Sequence, residues 1–292
     1  MDVQARFHDA DAWLICPVCA QPLHCEGRTL RCGANHAFDI ARQGYVNLVR
    51  RARTEGHYSA DVLERREVVL ARGYYDHVLD AVATMLAAYA GAGGVLDAGC
   101  GTGWYARQLA HRCPGARMAA VDIVKEGIRL GARLDVGHDV LWTVGDSAHL
   151  PFADGTMGAV LDVFAPANYR EFNRVLSGAG CLIKVVPGAD HVRELREAAA
   201  SQLRRERYSA ERVRARFAEY YELVDERRCT ATRPLDDEVR STFIEMTPLL
   251  FGVDASCVDF DAVARITVDA HVLVGCPRSR AGALLWYTNN HC

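Results

Sequence analysis

Cysteine and histidine residues near the N-terminus have the spacing of a metal site. Cys16-Pro17-Val18-Cys19 is followed after twelve residues by Cys32, and His36 comes after three more. Two close pairs of thiolate and imidazole ligands on a short, turn-rich segment can surround one zinc ion tetrahedrally. The spacing therefore predicts a zinc site made of Cys16, Cys19, Cys32 and His36.

Four protein ligands leave the ion no open position, so the predicted metal is structural. His24 and Cys25 lie between the two pairs but lack a partner at ligand spacing, and we expect no metal bond from them. Thiol–disulfide exchange, the alternative chemistry for Cys-x-x-Cys, requires a βα context that is missing here. A disulfide framework is not expected, because the chain has eleven cysteines, an odd number, and several lie in apolar segments.

A second group of residues forms a glycine-rich turn. The loop Asp97-Ala98-Gly99-Cys100-Gly101-Thr102-Gly103 follows the apolar residues Val95 and Leu96. Glycines at alternate positions let the backbone turn tightly and approach a ligand, which then faces the N-terminus of the next helix. Such a turn is weakly specific by itself, because NAD-binding folds and ordinary tight turns also use it.

Two further acids follow the next apolar runs. Asp122 ends the run Met118–Val121, and Asp146 ends the run Leu141–Gly145. A carboxylate after the second strand can accept both hydroxyls of a ribose. The joint placement of Asp97, Asp122 and Asp146 indicates a nucleotide-like ligand. A nicotinamide dinucleotide, or acids that merely cap strands, are the alternatives.

Short apolar runs alternate with longer amphipathic stretches after Gly94. The segments are 95–97, 104–111, 117–122, 125–133, 140–145, 158–164 and 180–186. Strands that alternate with helices predict an α/β fold with a parallel, doubly wound sheet. A late strand is expected over Val268–Val274, in a tail whose pattern over 231–270 is otherwise weak.

The remaining segments define the domain organisation. The stretch 16–49 is rich in turn residues and predicts a small β-rich module that requires a metal staple. The charged stretch 50–72 is interpreted as a linker, and apolar residues from Tyr74 to Tyr89 have a helical repeat. We therefore divide the chain into a zinc-binding module (1–49), a linker with a leading helix (50–90) and a large domain (91–292).

Composition limits location and partners. Half of the 292 residues are hydrophobic, no run of about 20 apolar residues occurs, and the N-terminus has no signal-peptide pattern, so we expect a cytoplasmic protein without a membrane partner. The net charge of −3 gives no overall attraction to nucleic acid. Arginines concentrate at 50–53, 65–66 and 193–216, which leaves RNA binding open. For 193–216, a solvated helix face with Glu/Arg pairs is the alternative.

The glycine loop with its following acids resembles the class I methyltransferase family over Val95–Val186. The resemblance implies a Rossmann-like doubly wound sheet that binds S-adenosylmethionine. It places the methionine part of the cofactor on the loop, the ribose on Asp122, and the adenine beside Asp146 and Ser147. The implied cofactor-binding residues are Asp97, Gly99, Gly101, Gly103, Asp122, Asp146, Ser147 and Phe164.

The order of zinc module, Phe38–Leu48 string and glycine loop resembles a narrower family. These are the 23S rRNA guanine-N1 methyltransferases that modify a hairpin near the peptide exit tunnel, some of which give resistance to tylosin-type macrolides. The resemblance implies methyl transfer to a 23S rRNA hairpin and a homodimer. Two rival hypotheses are a small-molecule methyltransferase of a biosynthetic pathway on the same scaffold and a non-catalytic, zinc-dependent RNA-binding protein.

The catalytic candidates follow from position in the predicted sheet, and the RNA-contacting candidates follow from the zinc module and the arginines after it. Asp162, at the end of the fourth strand, and His191, after the fifth, are the candidate bases for guanine N1. Phe164 is expected to stack on adenine or on the target base. The predicted RNA-contacting residues are Arg42, Tyr45, Arg50, Arg51 and Arg53.

Overall fold

The computed structural model describes residues 5–49, 60–137, 139–203 and 210–278. Its strands are β1 (His24–Glu26), β2 (Thr29–Arg31), β3 (Ala37–Asp39), β4 (Tyr45–Asn47), β5 (Gly94–Ala98), β6 (Met118–Asp122), β7 (Val140–Val144), β8 (Met157–Val163), β9 (Leu176–Pro187), β10 (Tyr221–Pro234) and β11 (Arg265–Pro277). Its α-helices are α1 (Ala60–Ala71), α2 (Asp76–Tyr89), α3 (Trp104–Arg112), α4 (Lys125–Leu134), α5 (Tyr169–Val175), α6 (Arg193–Ala198), α7 (Ala210–Tyr220) and α8 (Asp237–Met246).

The large sheet has the strand order β10-β11-β9-β8-β5-β6-β7-β4. The six strands from β9 to β4 run parallel, and the chain reverses its direction of winding at β5, as the alternating pattern predicts. The doubly wound sheet is confirmed, and it departs from the expected parallel arrangement at one edge. There β11 pairs antiparallel with both β9 and β10, so the sheet is mixed.

Apolar side chains on both faces of the sheet form the core, and Trp142 lies directly beneath the glycine loop. A Cβ added to Gly103 or Gly131 would come within 2.4 and 2.6 Å of the indole ring, so these glycines allow the loop and α4 to pack on it. The indole Nε1 of Trp142 donates to Asp135 over 2.9 Å, and Asp135 forms a buried ion pair with Arg6 at 3.0 Å. Trp142 therefore supports the ligand-binding loop from below.

The N-terminal module is a three-stranded antiparallel sheet, β1-β2-β3, that packs on the large domain. The backbone of Trp13 accepts a hydrogen bond from Ala153 over 2.8 Å, and buried Leu14 packs with Phe152 in one hydrophobic cluster. Immediately after the module, β4 pairs in parallel with β7. The module and the large sheet thus share a core.

Helix α1 lies in the stretch that the sequence interprets as a charged linker, so that interpretation is wrong over 60–71. The following helix α2 agrees with the predicted repeat. Helix α1 is anchored because Glu67 pairs with Arg107 at 2.6 Å and accepts a hydrogen bond from Thr102 of the glycine loop. Across the described ranges, no helix combines the length and apolarity needed to cross a membrane.

Candidate functional site

The predicted metal ligands come together in the N-terminal module. The ligand atoms of Cys16, Cys19, Cys32 and His36 all lie within 4.8 Å of one another. The Sγ atoms of Cys19 and Cys32 are 3.6 Å apart, and His36 Nδ1 lies 3.5 Å from Cys16 Sγ and 3.4 Å from Cys32 Sγ. Tetrahedral zinc with ordinary bond lengths requires about 3.8 Å between sulfurs and about 3.6 Å from sulfur to nitrogen. The four side chains therefore fit zinc, with Nδ1 as the histidine ligand.

The surroundings of the cluster act differently on its thiols, because burial raises the pKa of Cys16. Desolvation opposes ionisation of Cys32, but hydrogen bonds from the His36 and Ala34 amides and from Cys19 lower its pKa to about 6. Thiolate is the form that binds zinc. His24 instead faces Asp11, and the Cys25 thiol donates to the Gly27 carbonyl, so neither joins the cluster.

The glycine loop leaves β5 in a conformation that requires glycine. Gly99, Gly101 and Gly103 have φ values of +74°, +60° and +62°, which L side chains rarely adopt. A Cβ on Gly99 would lie 2.8 Å from the Ala165 side chain, whereas a Cβ on Gly101 would meet nothing within 4 Å. The open space over Gly101 is a cradle of the kind that the methionine part of S-adenosylmethionine requires.

Asp122 ends β6 beside this cradle. Its Oδ2 accepts a hydrogen bond from the Gly101 amide at 2.7 Å, and its Oδ1 accepts one from the Val124 amide at 2.8 Å. A carboxylate oxygen has two lone pairs, so each oxygen retains capacity for one ribose hydroxyl. Burial raises the pKa of Asp122, and the two amides oppose that change. Both oxygens are thereby fixed in position for a ligand.

Asp97 lies at the end of β5 and is buried. Burial raises the pKa of its carboxyl group to about 7; the negative charges of Asp122 and Asp162 act in the same direction, whereas the Arg66 cation and a hydrogen bond from the Ala106 amide oppose them. A cationic ligand next to this group would favour its ionised form. The amino and sulfonium groups of S-adenosylmethionine meet that requirement.

Asp146 and Ser147 follow β7, the neighbour of β6. Asp146 Oδ1 accepts a hydrogen bond from the Ala148 amide at 2.8 Å, and the Ser147 carbonyl accepts one from Asn168 Nδ2 at 3.0 Å. These bonds fix the turn at the edge where the resemblance places adenine. Phe164 follows β8, three strands away, or about 14 Å at ordinary strand spacing. It therefore does not flank the same group as Asp146.

Phe164 instead lines a cavity of about 1180 Å³ at the carboxyl ends of β8 and β9. Its ring stacks on His191 with a centroid distance of 5.5 Å and meets the edge of Tyr75 at 5.9 Å. Three cations also line this cavity, namely Arg66, Lys184 and Arg196. No carboxylate contributes to the lining within the described part of the chain. We call this space the acceptor cavity; it adjoins the cradle because Ala165 lines it and also abuts Gly99.

The structure does not support His191 as a general base. Its Nδ1 accepts a hydrogen bond from the Asp269 amide at 3.4 Å, so the proton of the neutral ring resides on Nε2. Burial lowers the pKa of His191 to about 4. At neutral pH His191 is therefore an uncharged hydrogen-bond donor at Nε2, and the prediction that it removes a proton is corrected.

The prediction that Asp162 acts as a general base is also corrected. Its side chain is fully buried within β8 and is not part of the cavity lining. Lys184 of β9, which does line the cavity, lies between Asp162 and that space. The Nζ atom of Lys184 donates to Asp162 Oδ2 at 2.5 Å. Burial raises the pKa of Asp162 to about 6, against the effect of the lysine. A carboxylate held in this way cannot reach a guanine nucleobase in the cavity.

The predicted RNA-contacting residues fall into three groups. Arg42 is exposed and lies beside α1 and α4. Tyr45 is 6% exposed and packs in the main core as part of β4, so its expected role at an RNA surface is corrected. Arg50, Arg51 and Arg53 lie outside the described residues.

Lys184 and Arg66 were missed as site residues in the sequence. Lys184 interrupts the apolar run Leu182–Val186, and this single charge in a buried strand was an available signal. Arg66 lies on α1, the helix that the sequence did not predict, and the described residues offer its guanidinium no hydrogen-bond acceptor. Both bring positive charge to the acceptor cavity.

Comparison with known proteins agrees with this geometry. The zinc-ribbon model described as "RlmA, N-terminal" matches residues 14–50, and the model described as "Methyltransferase domain" matches residues 95–184. The 23S rRNA (guanine(748)-N(1))-methyltransferase of Streptomyces fradiae is 35% identical over 240 residues, which cover 81% of this chain and 85% of that protein. The chain belongs to the 23S rRNA guanine-N1 methyltransferase family.

Two more relatives carry names of the same family. YxjB of Bacillus subtilis (strain 168) is 31% identical over 272 residues, covering 89% of this chain and 95% of that protein. A Micromonospora griseorubida relative is 40% identical over 203 residues, covering 62% and 68%. This chain is accordingly an S-adenosylmethionine-dependent methyltransferase with a structural zinc ribbon, as the sequence predicts.

Proposed function

We propose that this enzyme transfers a methyl group from S-adenosylmethionine to N1 of a guanine in a 23S rRNA hairpin. The observation that carries the proposal is the acceptor cavity, which adjoins the glycine loop and combines three cations with an aromatic cluster. A nucleotide offers a negative phosphate and a flat base to such a lining. The names of the relatives support the same acceptor.

The cofactor supplies an electrophilic methyl group on a sulfonium. The chain holds it with the residues already described: the loop from Asp97 to Gly103 under the methionine part, Asp122 at the ribose, and Asp146 with Ser147 at the adenine. Methyl transfer is an in-line displacement, so the main work of the protein is to align the nucleophile and exclude water. Each of these assignments is part of the proposal.

The acceptor cavity would receive the target base. A guanine inside a helix cannot enter it, so the nucleotide has to leave its stack. The rings of Phe164 and His191 already stack on each other, so the incoming base would lie against the outer face of this aromatic pair and not between the two rings. Arg66 and Arg196 are placed to bind the flanking phosphates.

The zinc module would recognise the rest of the hairpin. Arg42 precedes β4 at one edge of the parallel strands, and the cavity lies at β9, five strands away, or about 24 Å. A substrate that contacts both sites must be a macromolecule. We also assign RNA binding to Arg50, Arg51 and Arg53, which lie outside the described residues. A homodimer that adds a second zinc module, testable by light scattering, is a further part of the proposal.

Transfer of labelled methyl from S-adenosylmethionine to unmodified 23S rRNA tests this function. We expect label in the RNA with wild-type protein and a large loss with Cys16→Ala/Cys19→Ala, whose zinc site is broken. Arg42→Glu should weaken RNA binding and leave cofactor affinity unchanged. Absence of label from RNA, with the cofactor bound normally, would contradict the proposal and indicate a small-molecule acceptor.

A further inference from the structure

A buried ion pair lies between the acceptor cavity and the interior of the sheet. Asp162 and Lys184 are register neighbours on the parallel strands β8 and β9, so their side chains emerge side by side. They are 0% and 5% exposed, and Lys184 Nζ lies 2.5 Å from Asp162 Oδ2. Lys184 also lines the acceptor cavity, whereas Asp162 does not.

Lys184 has one more hydrogen-bond donor than it has acceptors among the described residues. An ammonium group has three N–H donors. One points to Asp162, and a second reaches the carbonyl of Ala165 at 3.3 Å. Within the described residues the third has no acceptor. A buried cation fixed on two sides, with its remaining donor at the wall of a cavity, is arranged to bind an acceptor atom from that cavity.

Methylation of guanine N1 creates a need for such a donor. N1 carries a proton, and the electron density that N1 gains when this proton leaves is shared with the adjacent 6-oxygen. Among the described residues the cavity has no carboxylate to remove the proton, and His191 is a neutral donor at Nε2. Stabilisation of the developing oxyanion by a preorganised donor is the remaining way for this lining to assist the reaction.

We infer that Lys184 is a catalytic residue that donates its free N–H to the 6-oxygen of the target guanine. In the step, the N1 proton passes to water, N1 forms the bond to the methyl carbon, and the sulfur–methyl bond breaks with its electron pair staying on sulfur as a thioether. The same contact selects a base with a carbonyl oxygen beside the methylated nitrogen. This inference rests on the proposed function.

Asp162 has a positioning role in this arrangement. Its carboxylate orients the ammonium group and balances its charge, so a second cation next to the sulfonium of the cofactor is not left uncompensated. The chain contains two lysines, Lys125 and Lys184, among 34 basic residues. Arginine would not replace Lys184 well, because a planar fork cannot direct three donors to Asp162, Ala165 and a base.

The first experiment compares wild-type protein with Lys184→Met and with Lys184→Met/Asp162→Asn, which removes both charges and avoids an unpaired buried carboxylate. Single-turnover methyl transfer to rRNA is measured from pH 6.5 to 9.5, and cofactor affinity is measured by calorimetry. We expect both variants to lose about 100- to 1000-fold in rate at pH 7 and less than threefold in cofactor affinity. Their rates should then rise about tenfold per pH unit, because hydroxide assists ionisation of N1.

The second experiment replaces the target guanine with 2-aminopurine, which lacks the 6-oxygen. Wild-type protein should bind this RNA about tenfold more weakly than the guanine RNA. Lys184→Met should bind both RNAs equally, because the contact is already gone. RNA carrying inosine, which keeps the 6-oxygen, is the matched control and should bind to wild-type protein like the guanine RNA apart from the loss of the 2-amino group.

Three results would overturn the assignment: an unchanged rate in both variants, a parallel loss of cofactor affinity, or a rate loss that higher pH does not restore. The second would place Lys184 at the cofactor, and the third would give it a packing role. Failure of the proposed function looks different, because wild-type protein would then transfer no methyl group to RNA, and the assignment of Lys184 to a guanine would fall with it.

Discussion

Replacement of Asp122 by asparagine should weaken cofactor binding more than the loss of one charge suggests. Both carboxylate oxygens accept backbone amides, from Gly101 at 2.7 Å and from Val124 at 2.8 Å. An amide side chain has one acceptor oxygen and one NH2 group, so its NH2 group must face one of these N–H groups in either orientation. The substitution thus disturbs either the glycine loop or the turn at Val124, and it also removes one acceptor for the ribose.

The size of the effect follows from these contacts. A hydrogen bond to a charged group contributes about 1.5–3 kcal/mol. Loss of one such bond to the ribose corresponds to roughly a 10- to 150-fold weaker affinity, at about 1.4 kcal/mol per tenfold. Asp154→Asn is the matched control, because Asp154 is a largely exposed carboxylate that pairs with Arg174 away from the cradle.

Isothermal titration of S-adenosylmethionine into the three proteins is the assay, with circular dichroism to establish that each is folded. The reasoning predicts the stated loss for Asp122→Asn and an unchanged dissociation constant for Asp154→Asn. A change of less than threefold for Asp122→Asn would refute the ribose assignment. Equal losses in both variants would show a general effect of charge.

Three further predictions concern pH, stability and the metal. Because the pKa of Asp97 is raised to about 7 and a cationic ligand requires its ionised form, cofactor affinity should fall about fivefold from pH 7 to pH 6 and level off above pH 8. Calorimetry should show proton release at pH 6, and this part of the pH dependence should be missing in Asp97→Asn. Asp135→Ala removes the carboxylate that forms the ion pair with the buried guanidinium of Arg6, so denaturant unfolding should show a loss of about 3–5 kcal/mol. A loss under about 1 kcal/mol would contradict the contribution of the buried pair. Chelation of zinc should lower the rate of methyl transfer to RNA by a larger factor than it lowers the affinity for the cofactor. Metal analysis should find one zinc per chain in wild-type protein and none in Cys16→Ala/Cys19→Ala.

The parts of the fold that the sequence predicts are those with local signals. The glycine loop, Asp122 and Asp146 each follow a short buried strand, and the cysteine spacing is itself a geometric pattern. The hairpin of β10 and β11 is different. Strand β10 is mostly exposed and charged, so it has no apolar alternation, and its pairing partner β11 lies 31 residues or more along the chain. The antiparallel edge of the sheet was not predicted because it depends on pairing between strands that are distant in sequence.

The candidate site shows the same division. Lys184 and Asp162 each interrupt an apolar strand, but their contact depends on the register between β8 and β9, which no local pattern contains. Tyr45 belongs by sequence position to the expected RNA-facing surface of the zinc module, but its place in β4 beside Val46 buries it. For His191, the position after β9 was predicted, whereas its tautomer depends on the amide of Asp269 in a strand that is distant in sequence.

The central claim is tested most directly by the identity of the methylated nucleoside. Unmodified 23S rRNA would be incubated with the protein and S-adenosylmethionine, digested to nucleosides and analysed by mass spectrometry, with primer extension to locate the position. The account predicts 1-methylguanosine and a single reverse-transcription stop at a guanine in a hairpin. Methylation at another atom or base, or RNA that stays unmodified while the cofactor binds, would contradict it.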